Sequence, residues 1–88
     1  MDSHTWTLTN LKKHGISFEE ASTVFGDPHS LTIPDALHST QEERFVIIGL
    51  SYRLKTLIVA HLERGNVIRI INAREATRHE RKTYEEGK

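Results

Sequence analysis

Three runs rich in branched apolar residues follow one another in the second half of the chain, and the links between them are short. They are Arg44 to Leu50 (RFVIIGL), Thr56 to Leu62 (TLIVAHL) and Val67 to Asn72 (VIRIIN). Such runs, bounded by turn-forming residues, predict β-strands. The links, Ser51 to Lys55 and Arg64-Gly65-Asn66, are too short for crossovers, so the strands must pair antiparallel as a meander. Ser30 to Ile33, closed by Pro34-Asp35, predicts a fourth, shorter strand, and Ala36 to Glu43 reads as an exposed polar loop.

Helices are expected on either side. Leu8 to Lys13 predicts a short first helix, with Gly15 near its end as a C-terminal stop. Ser17 precedes Glu20 by three residues, a capping-box pattern that opens a second helix through about Phe25. In that helix Phe18, Ala21, Val24 and Phe25 share one face, and Gly26-Asp27-Pro28 stops it. Thr77 and Glu80 repeat the capping pattern and open a terminal helix to about Glu86. Two helices, three or four antiparallel strands and a last helix make an α+β fold. No repeat or linker divides the chain, so residues 1–88 are expected to form one domain. A domain this small buries only roughly 60–65% of its unfolded surface, which leaves room for a partner to add stability.

Composition narrows the function classes. There is no cysteine, hence no disulfide framework and no thiolate chemistry. Six histidines are present, but none falls in an H-E-x-x-H or similar ligand spacing. No glycine-rich phosphate loop and no G-x-S-x-G occurs. The polar first ten residues do not read as a signal peptide, and no run approaches the roughly 20 apolar residues of a membrane span. A soluble cytoplasmic protein is expected.

The net charge of zero conceals a division. Residues 1–43 carry two basic and seven acidic side chains, a net −5; residues 44–88 carry ten basic and five acidic, a net +5. A basic face for phosphate-bearing partners is one outcome; mixing of the charges in the fold is the other. Arg69 interrupts an apolar strand and reads either as a phosphate contact or as a structural arginine paired with a carboxylate such as Glu80. Arg44, at a strand start, invites the same two readings. Arg74, Arg78 and Lys82 recur every four residues and share a side if the helix begins early, with Arg81 beside them. The guanidinium fork suits phosphate because it donates two hydrogen bonds at once. Arg64 lies at the turn. His61 and Glu63, at the end of the middle strand, are candidates to move a proton. For His61 a structural role competes. Tyr84 reads either as a base-stacking residue or, preferably, as an anchor for a helix whose apolar stripe is otherwise weak.

Several stretches together resemble the BrnT family of toxins of bacterial type II toxin–antitoxin systems. They are Lys13-His14-Gly15-Ile16-Ser17-Phe18-Glu19-Glu20-Ala21, Asp27-Pro28, Glu43-Arg44-Phe45 with Ile48-Gly49-Leu50-Ser51, and Arg69-Ile70-Ile71-Asn72-Ala73-Arg74-Glu75-Ala76-Thr77 followed by Glu80-Arg81 and Tyr84. The resemblance implies a RelE-like fold and an endoribonuclease that inhibits translation with no metal or other cofactor. It also implies a BrnA-type antitoxin partner, a DNA-binding dimer whose complex with the toxin represses the operon. For such an enzyme Arg69 and Arg74 are the expected catalytic phosphate ligands, and His61 or Glu63 the expected base. Arg44, Arg64, Arg78, Arg81 and Lys82 are the expected RNA-binding residues. The competing functions are a toxin-like binding module, catalytically weak or inactive, that acts through its antitoxin, and a DNA-binding protein acting alone. The absence of a helix-turn-helix pattern near the basic residues counts against the last.

Overall fold

A computed structural model describes residues 15–35 and 43–87. Helix α1, Phe18–Thr23, continues into a single 3-10 turn, Val24–Gly26. Four strands follow: β1 Leu31–Pro34, β2 Arg44–Leu50, β3 Thr56–Arg64 and β4 Val67–Glu75. Helix α2, Arg78–Glu86, closes the chain. The strands lie in the order β1-β2-β3-β4, each antiparallel to its neighbours. The fold is therefore α+β, with an antiparallel meander between a helix on its N-terminal side and one at the C-terminal end. The helix expected at Leu8 to Lys13, and the loop expected at Ala36 to Glu43 apart from Glu43, lie outside the described residues.

The caps form as the sequence expects, with one difference. Ser17 Oγ accepts the Glu20 N–H at 3.0 Å and starts α1. The Glu20 carboxylate, however, accepts from the Ser51 hydroxyl at 2.8 Å, and both residues are buried. A long-range bond here takes the place of half of the capping box. At α2 both halves are present, Thr77 to the Glu80 N–H and Glu80 to the Thr77 N–H.

The core lies on one face of the sheet. Ile47, Val59 and Ala73 form a row across three strands. Ile16, Ala21 and Val24 pack over it, with Phe18 and Phe25 at the margin. Gly49 is placed where the 3-10 turn comes closest, and a Cβ there would stand 2.8 Å from Val24 Cγ1. The Gly65-Asn66 turn joins β3 to β4, with Gly65 at φ +59 in the first central position, as a tight hairpin of this twist requires.

The last strand runs further than the apolar pattern predicts. Ala73, Arg74 and Glu75 pair with Val59, Ile58 and Leu57, so β4 ends at Glu75 rather than Asn72. Pairing with β3 overrides the helical preference of this short segment. Arg74 therefore sits on a strand, and the four-residue spacing to Arg78 and Lys82 does not mark a common helix face.

α2 buries only Tyr84. Its hydroxyl donates to Asp27 Oδ2 at 2.5 Å, and the same oxygen accepts the Leu50 N–H at 2.8 Å. Tyr84 is thus the anchor that the weak apolar stripe called for. Gly49→Ala is expected to lower stability by about 1–3 kcal/mol through the clash with Val24, read as a fall in the urea midpoint at unchanged slope.

Candidate functional site

Side chains alternate along a strand, so Arg69 and Arg74, five residues apart, should face opposite sides of the sheet. They do not. Ala60 pairs with Asn72, but His61 pairs with Ile70, leaving Ile71 as an extra residue in β4. This β-bulge resets the alternation. Arg69, Asn72 and Arg74 consequently share the sheet face that the core does not use.

The pairing register fills in that face. Arg44, Leu62 and Arg69 form one row across β2, β3 and β4. Arg64 lies two residues beyond Leu62 on the same side. Three of the expected RNA-binding or catalytic arginines therefore gather at one end of the sheet. Arg74 stands in the row Ile48–Ile58–Arg74, roughly 13 Å along β4 from Arg69 at the usual strand rise. Beside it, α2 overhangs the sheet and encloses a groove of about 380 Å³ between Glu80, Thr83 and the apolar floor of Leu31, Val46, Ile48 and Ile58. Arg78, Arg81 and Lys82 are exposed on α2.

Arg74 and Arg44 each meet a carboxylate. Arg74 Nη1 and Nη2 donate to the two Glu80 carboxylate oxygens, each at 2.8 Å. Glu80, rather than pairing with Arg69, is thus the bidentate partner of Arg74. The hydrogen bonds from Arg74 hold the Glu80 carboxyl at about 2, against the opposing effect of burial. The same bonds raise Arg74 above its ordinary value. Arg44 Nε lies 3.4 Å from Asp35 Oδ2. Arg69 is exposed.

The histidine is elsewhere. His61 is fully buried on the core face, stacked on Phe45 at 5.8 Å and met edge-on by Phe25 at 5.0 Å. Its Nε2 lies 2.9 Å from Glu63 Oε2, and its buried Nδ1 finds no hydrogen-bond partner among the described residues. Glu63, with 42% of its side chain exposed, lies on that same face at the hairpin end. The structure thus brings Arg44, Arg64 and Arg69 together, sets Arg74 with α2 at the other end, and separates His61 and Glu63 from all four by the thickness of the sheet. Among the described residues no three His, Cys, Asp or Glu side chains group in a way that could hold a metal ion, and no helix is long and apolar enough to cross a membrane.

Sequence reasoning missed the bulge, the groove and the Asp27–Tyr84 bond. Asp27-Pro28 signalled only a helix stop, and nothing local ties it to a residue 57 positions on.

The Arg74–Glu80 pair makes stability depend on pH with a definite sign. The folded-state carboxyl titrates below its unfolded value, so the pair's contribution is present above about pH 4.5 and is lost as pH falls towards about 2. With 41% of the Arg74 and 31% of the Glu80 side chain exposed, solvent screening leaves a contribution on the order of 1–2 kcal/mol. Urea midpoints measured across this range should fall for the natural chain and fall less steeply for Glu80→Gln.

The family described as the ribonuclease toxin, BrnT, of type II toxin–antitoxin systems matches residues 6–80. No curated protein matches the chain. The match spans most of the 88 residues, including every strand among the described residues and the start of α2. The chain belongs to the BrnT family of ribonuclease toxins of type II toxin–antitoxin systems.

Proposed function

We propose that this chain is a metal-independent endoribonuclease of RelE-like architecture that grips RNA on the arginine-bearing face of its sheet. The observation that carries the reading is the bulge at Ile71, which turns Arg69 to the same face as Arg74, Arg44 and Arg64. Bulges of this kind re-aim side chains beside active sites.

In this reading the RNA supplies its own nucleophile. A ribose 2′-oxygen attacks the adjacent phosphorus while the bond to the 5′-oxygen breaks, giving a 2′,3′-cyclic phosphate and a 5′-hydroxyl. The protein orients the backbone and stabilises the charge that builds on the phosphorane. Arg69 carries that task, with Arg44 and Arg64 holding phosphates at the hairpin end and Arg74, Arg78, Arg81 and Lys82 holding the strand at the α2 end. Glu80 holds the Arg74 fork in place, which leaves its outward N–H groups to meet an oxyanion. Glu63 and His61 lie across the sheet from these arginines and take no part in this step.

Membership of a type II toxin–antitoxin family supports a biological setting for this activity. A BrnA-type antitoxin, a DNA-binding dimer, would neutralise the toxin in the bacterial cytoplasm, and the complex would repress its own operon. RNA cleavage would inhibit translation. The ion pairs on Arg74 and Arg44 favour a second reading, a toxin-like binding module of low activity that works through its antitoxin.

Incubation of the purified chain with a defined RNA in the presence of a chelator separates the two. Fragments ending in 2′,3′-cyclic phosphate are expected; intact RNA across a wide protein excess would favour the binding module. Arg69→Ala and Arg74→Ala should each lower the cleavage rate by about 10²-fold with the circular dichroism spectrum unchanged. Retained activity in both would displace the site from this face.

A further inference from the structure

We infer that the turn between β2 and β3, Ser51 to Lys55, is a second RNA-contact element, in which Tyr52 stacks on an unpaired base and Arg53 and Lys55 hold the flanking phosphates. The inference rests on the ribonuclease reading above, and no residue of this turn belongs to the arginine face.

The frame of the turn is rigid. Ser51 is buried, and its N–H donates to the Lys55 carbonyl at 2.8 Å. Its hydroxyl donates to Glu20 and accepts the Arg53 and Lys55 N–H groups at 3.3 and 3.4 Å. The Tyr52 N–H donates to Thr23 Oγ1 at 3.0 Å, tying the turn to the end of α1. A turn held this way needs small or polar residues at its tip, yet it carries Tyr52 and Leu54, 66% and 76% exposed. Leu54 also takes φ 63, the left-handed region that glycine or asparagine occupies at less cost. Neither folding nor turn chemistry accounts for these two side chains. Such outliers cluster where a surface is used.

The charges say what uses it. Arg53 and Lys55 are exposed and flank Leu54, with Arg53 next to Tyr52. An aromatic ring beside cations is the arrangement that holds single-stranded nucleic acid, since each base offers a face to stack and each linkage a phosphate to neutralise. The location fits a continuous strand. The Ala76 N–H donates to the Thr56 carbonyl at 2.9 Å, so the turn lies beside the β4–α2 junction and the exposed Arg78. Lys55 is three residues from Ile58, the partner of Arg74, or roughly 10 Å. RNA passing Arg74 reaches the turn within a few nucleotides.

The probe is a fluorescein-labelled single strand of roughly 20 nucleotides with 2′-O-methyl riboses, which binding can grip and cleavage cannot consume. Tyr52→Ala should weaken its binding about tenfold, within the range measured for one lost base–aromatic stack. Tyr52→Phe should stay within about twofold of the natural chain. Arg53→Ala with Lys55→Ala should reduce the slope of log affinity against log salt by about 1.4, two phosphates' worth for a single strand. All three positions are exposed, so melting temperatures should hold. Tyr52→Ala binding within twofold, while Arg69→Ala weakens binding, would overturn the turn and leave the arginine face standing. Failure of the natural chain to bind would overturn both. Loss of antitoxin co-purification in Tyr52→Ala at unchanged RNA affinity would make the turn a protein contact and overturn the inference.

Discussion

The Asp27 carboxylate is the point on which the arrangement of the site depends. One of its oxygens accepts the Leu50 N–H and the Tyr84 hydroxyl; the other accepts the His29 N–H at 2.9 Å. Burial pushes this carboxyl up, but the bonds from Tyr84, Leu50 and His29 more than offset it and hold it below its ordinary value. Burial, reinforced by the bond to Asp27, pushes the Tyr84 hydroxyl up to about 12. One group thus joins the turn after α1, the end of β2 and the terminal helix. Because α2 buries no other side chain, this bond does for it what an apolar stripe does for most helices. With α2 fixed at Tyr84, Glu80 lies one turn earlier and reaches Arg74. The groove and the orientation of Arg74 follow from that.

The parts legible in the sequence are those governed by neighbours in the chain. Strands β2 and β3 begin where the branched runs begin, and the caps of both helices fall at Ser17 and Thr77. Local rules fail where a partner strand decides. No pattern within VIRIINARE says that Ile71 will be skipped, because the skip is a property of its pairing with Ala60 and His61. For the same reason Ala73 to Glu75 read as a link to the helix when they are strand. This one irregularity changes the function that can be read from the chain, since regular alternation would point Arg69 to the core face, opposite Glu63.

His61 shows the opposite limit. Its residue type and its neighbour Glu63 suggest proton transfer, and the two side chains are indeed in contact. What the sequence could not show is that Phe25, from the 3-10 turn after α1, and Phe45, from β2, would close over the ring. A buried imidazole that bonds a rim carboxylate through Nε2 is placed to orient that carboxylate, on the face opposite the arginines. The unmatched Nδ1 is a cost, on the order of 1–3 kcal/mol for a buried polar atom, that packing alone would not select.

The division of charge along the chain takes on a structural meaning in this light. The acidic first half does not simply balance the basic second half. Asp27 fastens α2, Asp35 meets Arg44, and Glu20 fastens the turn that carries Tyr52. Each of these carboxylates lies at the base of a segment that presents cations, so the negative charges act as fixings for a positive surface. An arginine already held by a carboxylate loses less freedom when it meets a phosphate, and that saving offsets part of the attraction that the ion pair removes. In the proposed reading that balance favours binding at Arg74, which lines the groove and keeps N–H groups that Glu80 and the Glu75 carbonyl do not take.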